Sequence, residues 1–190
     1  MIIYLHGFGG DSKSLKAPIL RAELDVDVYT PSYPSNDIDA AMQIVSDLIE
    51  KHQDDHETIM LMGTSMGGFI AQYLGRKYGT KVVMINPALQ ASKTLKRYIG
   101  QNAKFNSGER FKLTAENVKA FKKYEMSEPR HNFGSLLLLH EGDKVIDYRH
   151  AYNMYKGHAT RILYKGGSHR FDHFEESLPA IKEYYDKIWY

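Results

Sequence analysis

The segment Gly63-Thr64-Ser65-Met66-Gly67 constrains this chain more than any other. It lies between a short apolar run, Thr58–Met62, and a helical pattern that extends from Met66 to about Tyr78. A strand that becomes a helix within so few residues must reverse sharply, which puts the central residue at the tip in a strained conformation. Glycine on either side removes the side chains that would keep strand and helix apart. The serine hydroxyl is then exposed at the C-terminal edge of a sheet, and the free N–H groups of the helix favour a negative charge at the same place. Ser65 is therefore the candidate nucleophile. The competing reading is a glycine-rich turn that happens to contain a serine.

The rest of the chain supplies the expected surroundings. Ile2–Leu5, Val26–Thr30, Lys81–Ile85, Ser135–Leu139 and Thr160–Tyr164 read as further strands, giving about six with Thr58–Met62. Helical patterns alternate with them. Ile38, Ala41, Met42, Val45, Leu48, Ile49 and His52 share one face at spacings of three and four, and Ser35 or Asn36 is placed to cap that helix. Gly79 is placed to end the helix that follows Ser65. Tyr148–Lys156 reads as a helix ending at Gly157, and a last helix carries Leu178, Ile181, Tyr185 and Ile188, with Pro179 in its first turn. Strand–helix alternation of this kind predicts an α/β fold with a mostly parallel sheet flanked by helices. The 190 residues are expected to form a single domain. Residues 87–133 break the rhythm and show no strand of their own, so they read as a small inserted cap in which Thr114 caps a helix carrying Val118 and Phe121.

A serine hydroxyl is a weak nucleophile and needs a base within hydrogen-bond reach. Around such an elbow the chain order is serine, then acid, then histidine. Asp143 follows the strand Ser135–Leu139, with Gly142 allowing a tight turn; it would orient the histidine and stabilise its charged form. Asp147 and Glu141 are rivals, although Asp147 is placed to cap the next helix. His169 follows the last strand on the loop Gly166-Gly167-Ser168-His169, with His173 as its rival. A shared metal site for His169 and His173 lacks a matching carboxylate spacing. Two backbone N–H groups are needed to hold an oxyanion, and Met66 and Phe8 are the candidates, Phe8 from the first glycine-rich loop His6-Gly7-Phe8-Gly9-Gly10. That loop has neither the G-x-G-x-x-G spacing nor the lysine of a phosphate-binding loop.

Composition excludes several alternatives. With no cysteine the chain has no disulfide, no thiolate-bound zinc and no thiol nucleophile. A net charge of +2 does not argue for nucleic acid. The apolar start Met1–Leu5 is too short for a secretory signal, and no run reaches the ~18 apolar residues of a membrane span. The expectation is a cytoplasmic protein without a membrane span, a cofactor or a metal.

These residues together resemble the small bacterial α/β-hydrolase esterases of the YqiA/YcfP type. The matching segments are Tyr4-Leu5-His6-Gly7-Phe8, Gly63-Thr64-Ser65-Met66-Gly67-Gly68-Phe69, Asn86-Pro87-Ala88, Gly142-Asp143 with Asp147-Tyr148-Arg149, and Gly166-Gly167-Ser168-His169-Arg170-Phe171. The resemblance spans residues 2–88 and about 134–175. It implies a minimal α/β-hydrolase fold, with Ser65, Asp143 and His169 at the triad positions. It also implies esterase activity on carboxylic esters or on acyl thioesters such as acyl-CoA.

Segment 89–133 carries none of the matching motifs. Residues 87–123 hold nine Lys or Arg, namely Lys93, Lys96, Arg97, Lys104, Arg110, Lys112, Lys119, Lys122 and Lys123, against Glu109 and Glu116. A basic lid would draw in an anionic substrate, whereas a solvated helical surface would carry the same residues without contacting one. Phe105, Phe111, Phe121 and Tyr124 either line an apolar pocket or form the core of the cap. The triad chemistry itself fits ester, thioester, amide or C–C cleavage. A non-catalytic binding protein on the same fold, or an interaction module whose basic segment meets an acidic partner, are the alternatives outside enzymes.

Overall fold

A computed structural model describes residues 1–54, 58–104, 108, 110–129 and 134–187. Its centre is a six-stranded sheet of β1 (Ile2–Leu5), β2 (Val28–Tyr29), β3 (Met60–Thr64), β4 (Lys81–Ile85), β7 (Ser135–His140) and β8 (Ala159–Tyr164). All are parallel, in the order β2-β1-β3-β4-β7-β8. Helices α1 (Lys16–Leu24), α2 (Ile38–Asp54), α3 (Met66–Tyr78), α6 (Tyr148–Met154) and α7 (Leu178–Asp186) connect or follow the strands. Between β4 and β7 the chain forms α4 (Ala91–Leu95), an antiparallel pair β5 (Asn102–Lys104) and β6 (Arg110–Lys112), and α5 (Ala115–Ala120).

The strands are apolar on both faces because both are covered. Ile3, Leu5, Leu61, Met84, Leu137 and Leu139 belong to one buried cluster with α2 and α3. Their neighbours Ile2, Tyr4, Met60, Met62, Val83, Ile85, Leu136 and Leu138 join a second cluster with α1 and α7. The chain moves outward from β1 to β2, then returns past β1 to β3 and continues the other way. The strand order therefore reverses between β1 and β3, and a crevice opens at their C-terminal ends. Both the first glycine-rich loop and Ser65 lie at that crevice.

The structure departs from the sequence expectation at five places. Helix α1 has no counterpart in that expectation, although Ala17, Leu20 and Leu24 are buried at helical spacing. Segment 87–133 does contain strands, since β5 and β6 pair within it. Strand β2 spans two residues rather than five, and β3 runs two residues later than expected, through Gly63 to Thr64. Helix α2 is capped by neither Ser35 nor Asn36: Asp37 Oδ1 accepts the Ala40 N–H at 3.0 Å, while buried Ser35 Oγ accepts the Gly9 N–H at 2.9 Å. Other caps fall where expected. Thr114 forms a capping box with Asn117 at α5, Asp147 caps α6, Gly79 ends α3 in a left-handed conformation, and Pro179 lies in the first turn of α7. Ile188 lies outside the described residues.

Candidate active site

Ser65 joins β3 to α3 with φ 55° and ψ −114°, a backbone conformation rarely adopted by a residue with a Cβ. The surrounding sheet holds it there. Its N–H donates to Ile85 O at 2.9 Å, and its carbonyl accepts from Phe69 N–H at 3.2 Å and Ala88 N–H at 3.0 Å. The flanking glycines are required by close approach. A Cβ on Gly63 would lie 2.1 Å from Gly67 O, and one on Gly67 would lie 2.1 Å from Leu5 O. The turn brings α3 against β1 as well as β3.

The structure brings Ser65, His169 and Asp143 together from the ends of three strands. His169 Nε2 is 2.9 Å from Ser65 Oγ, and His169 Nδ1 is 2.7 Å from Asp143 Oδ2. The Asp143 side chain is 1% exposed and that of His169 is 23% exposed. The other Asp143 oxygen accepts the N–H groups of Val145 at 2.8 Å and Ile146 at 2.9 Å. Burial pushes the Asp143 carboxyl up, but the hydrogen bond to His169 and the two backbone donors outweigh it and hold the group below the ordinary carboxylate value. The acid is thereby kept ionised beside an imidazole that it orients. The rivals are occupied elsewhere. Asp147 caps α6, Glu141 is exposed, and His173 Nδ1 meets His140 Nε2 at 2.8 Å. His169 and His173 thus engage different partners and do not converge on one point.

Met66 is the first residue of α3, so its N–H has no partner one turn back within the helix. Phe8 and Met66 both line the cavity that contains Ser65 and His169. The first loop is braced from below. The His6 ring stacks on Tyr33 at 3.9 Å, its Nδ1–H donates to Gly7 O at 2.9 Å, and Tyr33 OH donates to His6 O at 2.7 Å.

The cavity has a volume of about 590 Å³. Ala88, Ala91, Leu95 and Tyr98 line it from the segment after β4. Lys13 and Lys16 from the first loop and α1, and Arg170 beside His169, supply its cations, with Asp11 as its acid. Among the described side chains, none of the basic residues of 87–123 lines this cavity. Lys93 and Arg97 border a separate, smaller cleft, and Lys123 pairs with Asp39 at 2.7 Å. Phe121 and Tyr124 are buried in the core, and Phe111 packs edge-on against Phe8 at 5.6 Å. Phe105 and Glu109 lie outside the described residues. Lys13, Lys16 and Arg170 do not stand out in the sequence because they are scattered over the first loop, the start of α1 and the loop after β8. Asn86 and His140, discussed below, carry only the signals of a strand end.

Three histidines, His6, His140 and His150, are held below the ordinary value of 6.5, mainly by burial; Lys93 adds to the effect at His150. The unfolded chain takes up protons near 6.5 while the folded chain resists them. Stability from these groups is complete above that pH and falls as pH drops below it. The urea midpoint is expected to decline from pH 7 to pH 5; a flat midpoint across that window would contradict this account.

A parallel sheet in this order, with a strained serine after its third strand, defines the α/β-hydrolase fold. Solved structures agree on the fold. Est1E from Butyrivibrio proteoclasticus superposes with a TM-score of 0.75 at 18% identity, over 97% of this chain and 86% of that one. The Paleococcus ferrophilus monoacylglycerol lipase gives 0.68 at 19% identity, over 96% and 92%. Within that class the chain belongs to UPF0227, described as an uncharacterised protein family, whose profile matches residues 1–186. A UPF0227 protein of Vibrio parahaemolyticus is 26% identical over 97% of this chain and 98% of its own length, and one of Serratia proteamaculans is 24% identical over the same shares. The resemblance to YqiA/YcfP-type proteins holds at the level of family. No helix among the described residues is long and apolar enough to cross a membrane.

Proposed function

We propose that this protein is a serine hydrolase that cleaves carboxylic esters or acyl thioesters through an acyl-enzyme. The observation that carries the reading is the continuous chain of hydrogen bonds from Ser65 Oγ through His169 to buried Asp143 at the foot of an open cavity. Ser65 Oγ attacks the acyl carbonyl as His169 Nε2 takes its proton. The oxygen becomes an anion held by the N–H groups of Met66 and Phe8, with the α3 N-terminus adding a favourable field. His169 then gives its proton to the leaving oxygen or sulfur. The same imidazole next activates water to release the acid and restore Ser65. Asp143 keeps the Nδ1–H of His169 directed away from Ser65 throughout.

Among the fold neighbours, Est1E is described with ferulic acid bound and the Paleococcus protein as a monoacylglycerol lipase, which favours an ester for this chain too. The apolar wall of Ala88, Ala91 and Leu95 suits an acyl chain, and the Lys13, Lys16 and Arg170 side suits a leaving group bearing negative charge. Incubation with a fluorophosphonate probe, followed by mass spectrometry, is expected to label Ser65 in wild type and nothing in Ser65→Ala. Labelling would be followed by a panel of esters and acyl thioesters of graded chain length. A folded wild-type protein that stays unlabelled would overturn the hydrolase reading and favour a binding protein on this fold.

A further inference from the structure

His169 sits on a loop that begins with two glycines, Gly166 at φ 64° and Gly167 at φ 71°. Such a loop has little rigidity of its own. Gly142 N–H ties its start through Gly166 O at 2.8 Å and the buried Phe171 ring anchors its end, while its middle is held by two residues that take no proton in the mechanism above. Asn86 ends β4 with φ 40°, a left-handed conformation that asparagine tolerates better than most residues, and it is 1% exposed. Its side chain is engaged at both ends. Nδ2 donates to Ser168 O at 3.2 Å and to the carbonyl of His169 itself at 3.4 Å, while Oδ1 accepts the His140 N–H at 2.9 Å.

His140, the last residue of β7, closes the ring of contacts. Its ring Nδ1 is 2.9 Å from Ser168 O. A carbonyl only accepts, so Nδ1 carries the proton and the neutral ring presents a bare Nε2, to which His173 Nδ1–H donates at 2.8 Å. Phe171 stacks on the ring at 4.4 Å. Gly167 lies against its edge, where a Cβ would come within 2.2 Å of His140 Nδ1. Burial favours the neutral form that this arrangement requires.

We propose that Asn86 and His140 form a clamp on the carbonyls of Ser168 and His169 that sets the approach of His169 to Ser65. The inference rests on the proposed triad. Asn86 must be an amide for this task, because it donates to the loop and accepts from β7 at once. A carboxylate at the same position would be an acceptor facing acceptors, so the test compares Asn86→Asp, Asn86→Ala and His140→Phe with wild type. The phenylalanine keeps a ring against Gly167 and Phe171 and removes the donor to Ser168.

Three readouts are taken well below the melting temperature of each variant. These are the rate of Ser65 labelling by a fluorophosphonate, kcat and KM on a p-nitrophenyl ester, and the low-field proton resonance of His169 Nδ1–H. The resonance is assigned by its loss in His169→Gln. The expected result is a fall of about 10- to 100-fold in labelling rate and kcat, with KM within about twofold and the resonance broadened or lost. A purely structural role would lower the melting temperature and leave all three unmoved in the folded protein; that outcome overturns the clamp. Should wild type show the resonance but no labelling, the hydrolase reading fails, and the resonance in the variants still decides the clamp. Should Asn86→Ala not fold, Asn86→Asp and His140→Phe decide it.

Discussion

Replacing His169 with alanine is expected to lower kcat on a carboxylic ester by about 10³- to 10⁴-fold, with a small change in KM. The size follows from the geometry. His169 Nε2 is the only ring nitrogen within hydrogen-bond reach of Ser65 Oγ among the described residues, at 2.9 Å. Without it, no base removes the serine proton and no acid protonates the leaving group. The N–H groups of Met66 and Phe8, proposed above to hold the oxyanion, would remain, so activity should stay above the uncatalysed rate. Asp143→Asn separates orientation from charge. Its amide fills the same space, but its nitrogen would present a donor to His169 Nδ1 and drive the imidazole to the wrong tautomer. Its loss should approach that of His169→Ala, and the double variant should lose little more than either alone, because the residues act as a unit. Steady-state kinetics on the three variants checks this. Additive losses would mean that His169 and Asp143 do not share one step.

Gly67→Ala is expected to cost the fold rather than the chemistry, by about 3–5 kcal/mol. The added Cβ would lie 2.1 Å from Leu5 O, 2.6 Å from Leu5 C and 2.8 Å from His6 O. These are backbone atoms at the end of β1, so no side chain can rotate to make room. Relief requires α3 to lift from the sheet, and α3 is buried from Met66 to Phe69 and beyond. Gly100→Ala is the matched control, since a Cβ there meets nothing within 4 Å, although its φ of 81° adds a backbone cost. Urea denaturation of the two variants distinguishes a clash from general glycine effects: Gly67→Ala should lose several-fold more stability. Equal losses would show that α3 yields easily.

Most of the sheet is legible in the sequence because its strands are buried on both faces, and a short apolar run such as Lys81–Ile85 or Ser135–His140 admits few other readings. The boundary errors have local causes. Gly63 and Thr64 look like turn residues, yet β3 continues through them because Gly63 pairs with Met84 and Thr64 with Ile85. The pair β5–β6 is invisible because the sequence offers only Ala103 and Phe111 among charged and polar neighbours and shows no alternating apolar run there. Helix α1 is hidden by Pro18 and exposed Leu15, although a proline in a first turn is tolerated. At the site, Ser65, His169 and Asp143 can be named because each is tied to the end of a strand and to a known order along the chain. Asn86 and His140 cannot. Their partners are carbonyls 82 and 28 residues away, and backbone acceptors leave no trace in sequence.

The sheet order has a further consequence for how the protein acquires its function. Ser65, Asn86, Asp143 and His169 follow β3, β4, β7 and β8, which are adjacent in space but span more than half of the chain. Every pair is parallel, so each neighbour is recruited only after a long crossover has closed. Ser65 and His169 therefore meet only once the last strand has docked on the one before it. On the proposed mechanism a chain still emerging from the ribosome would carry an inert serine, and turnover would begin only when β8 is in place beside β7.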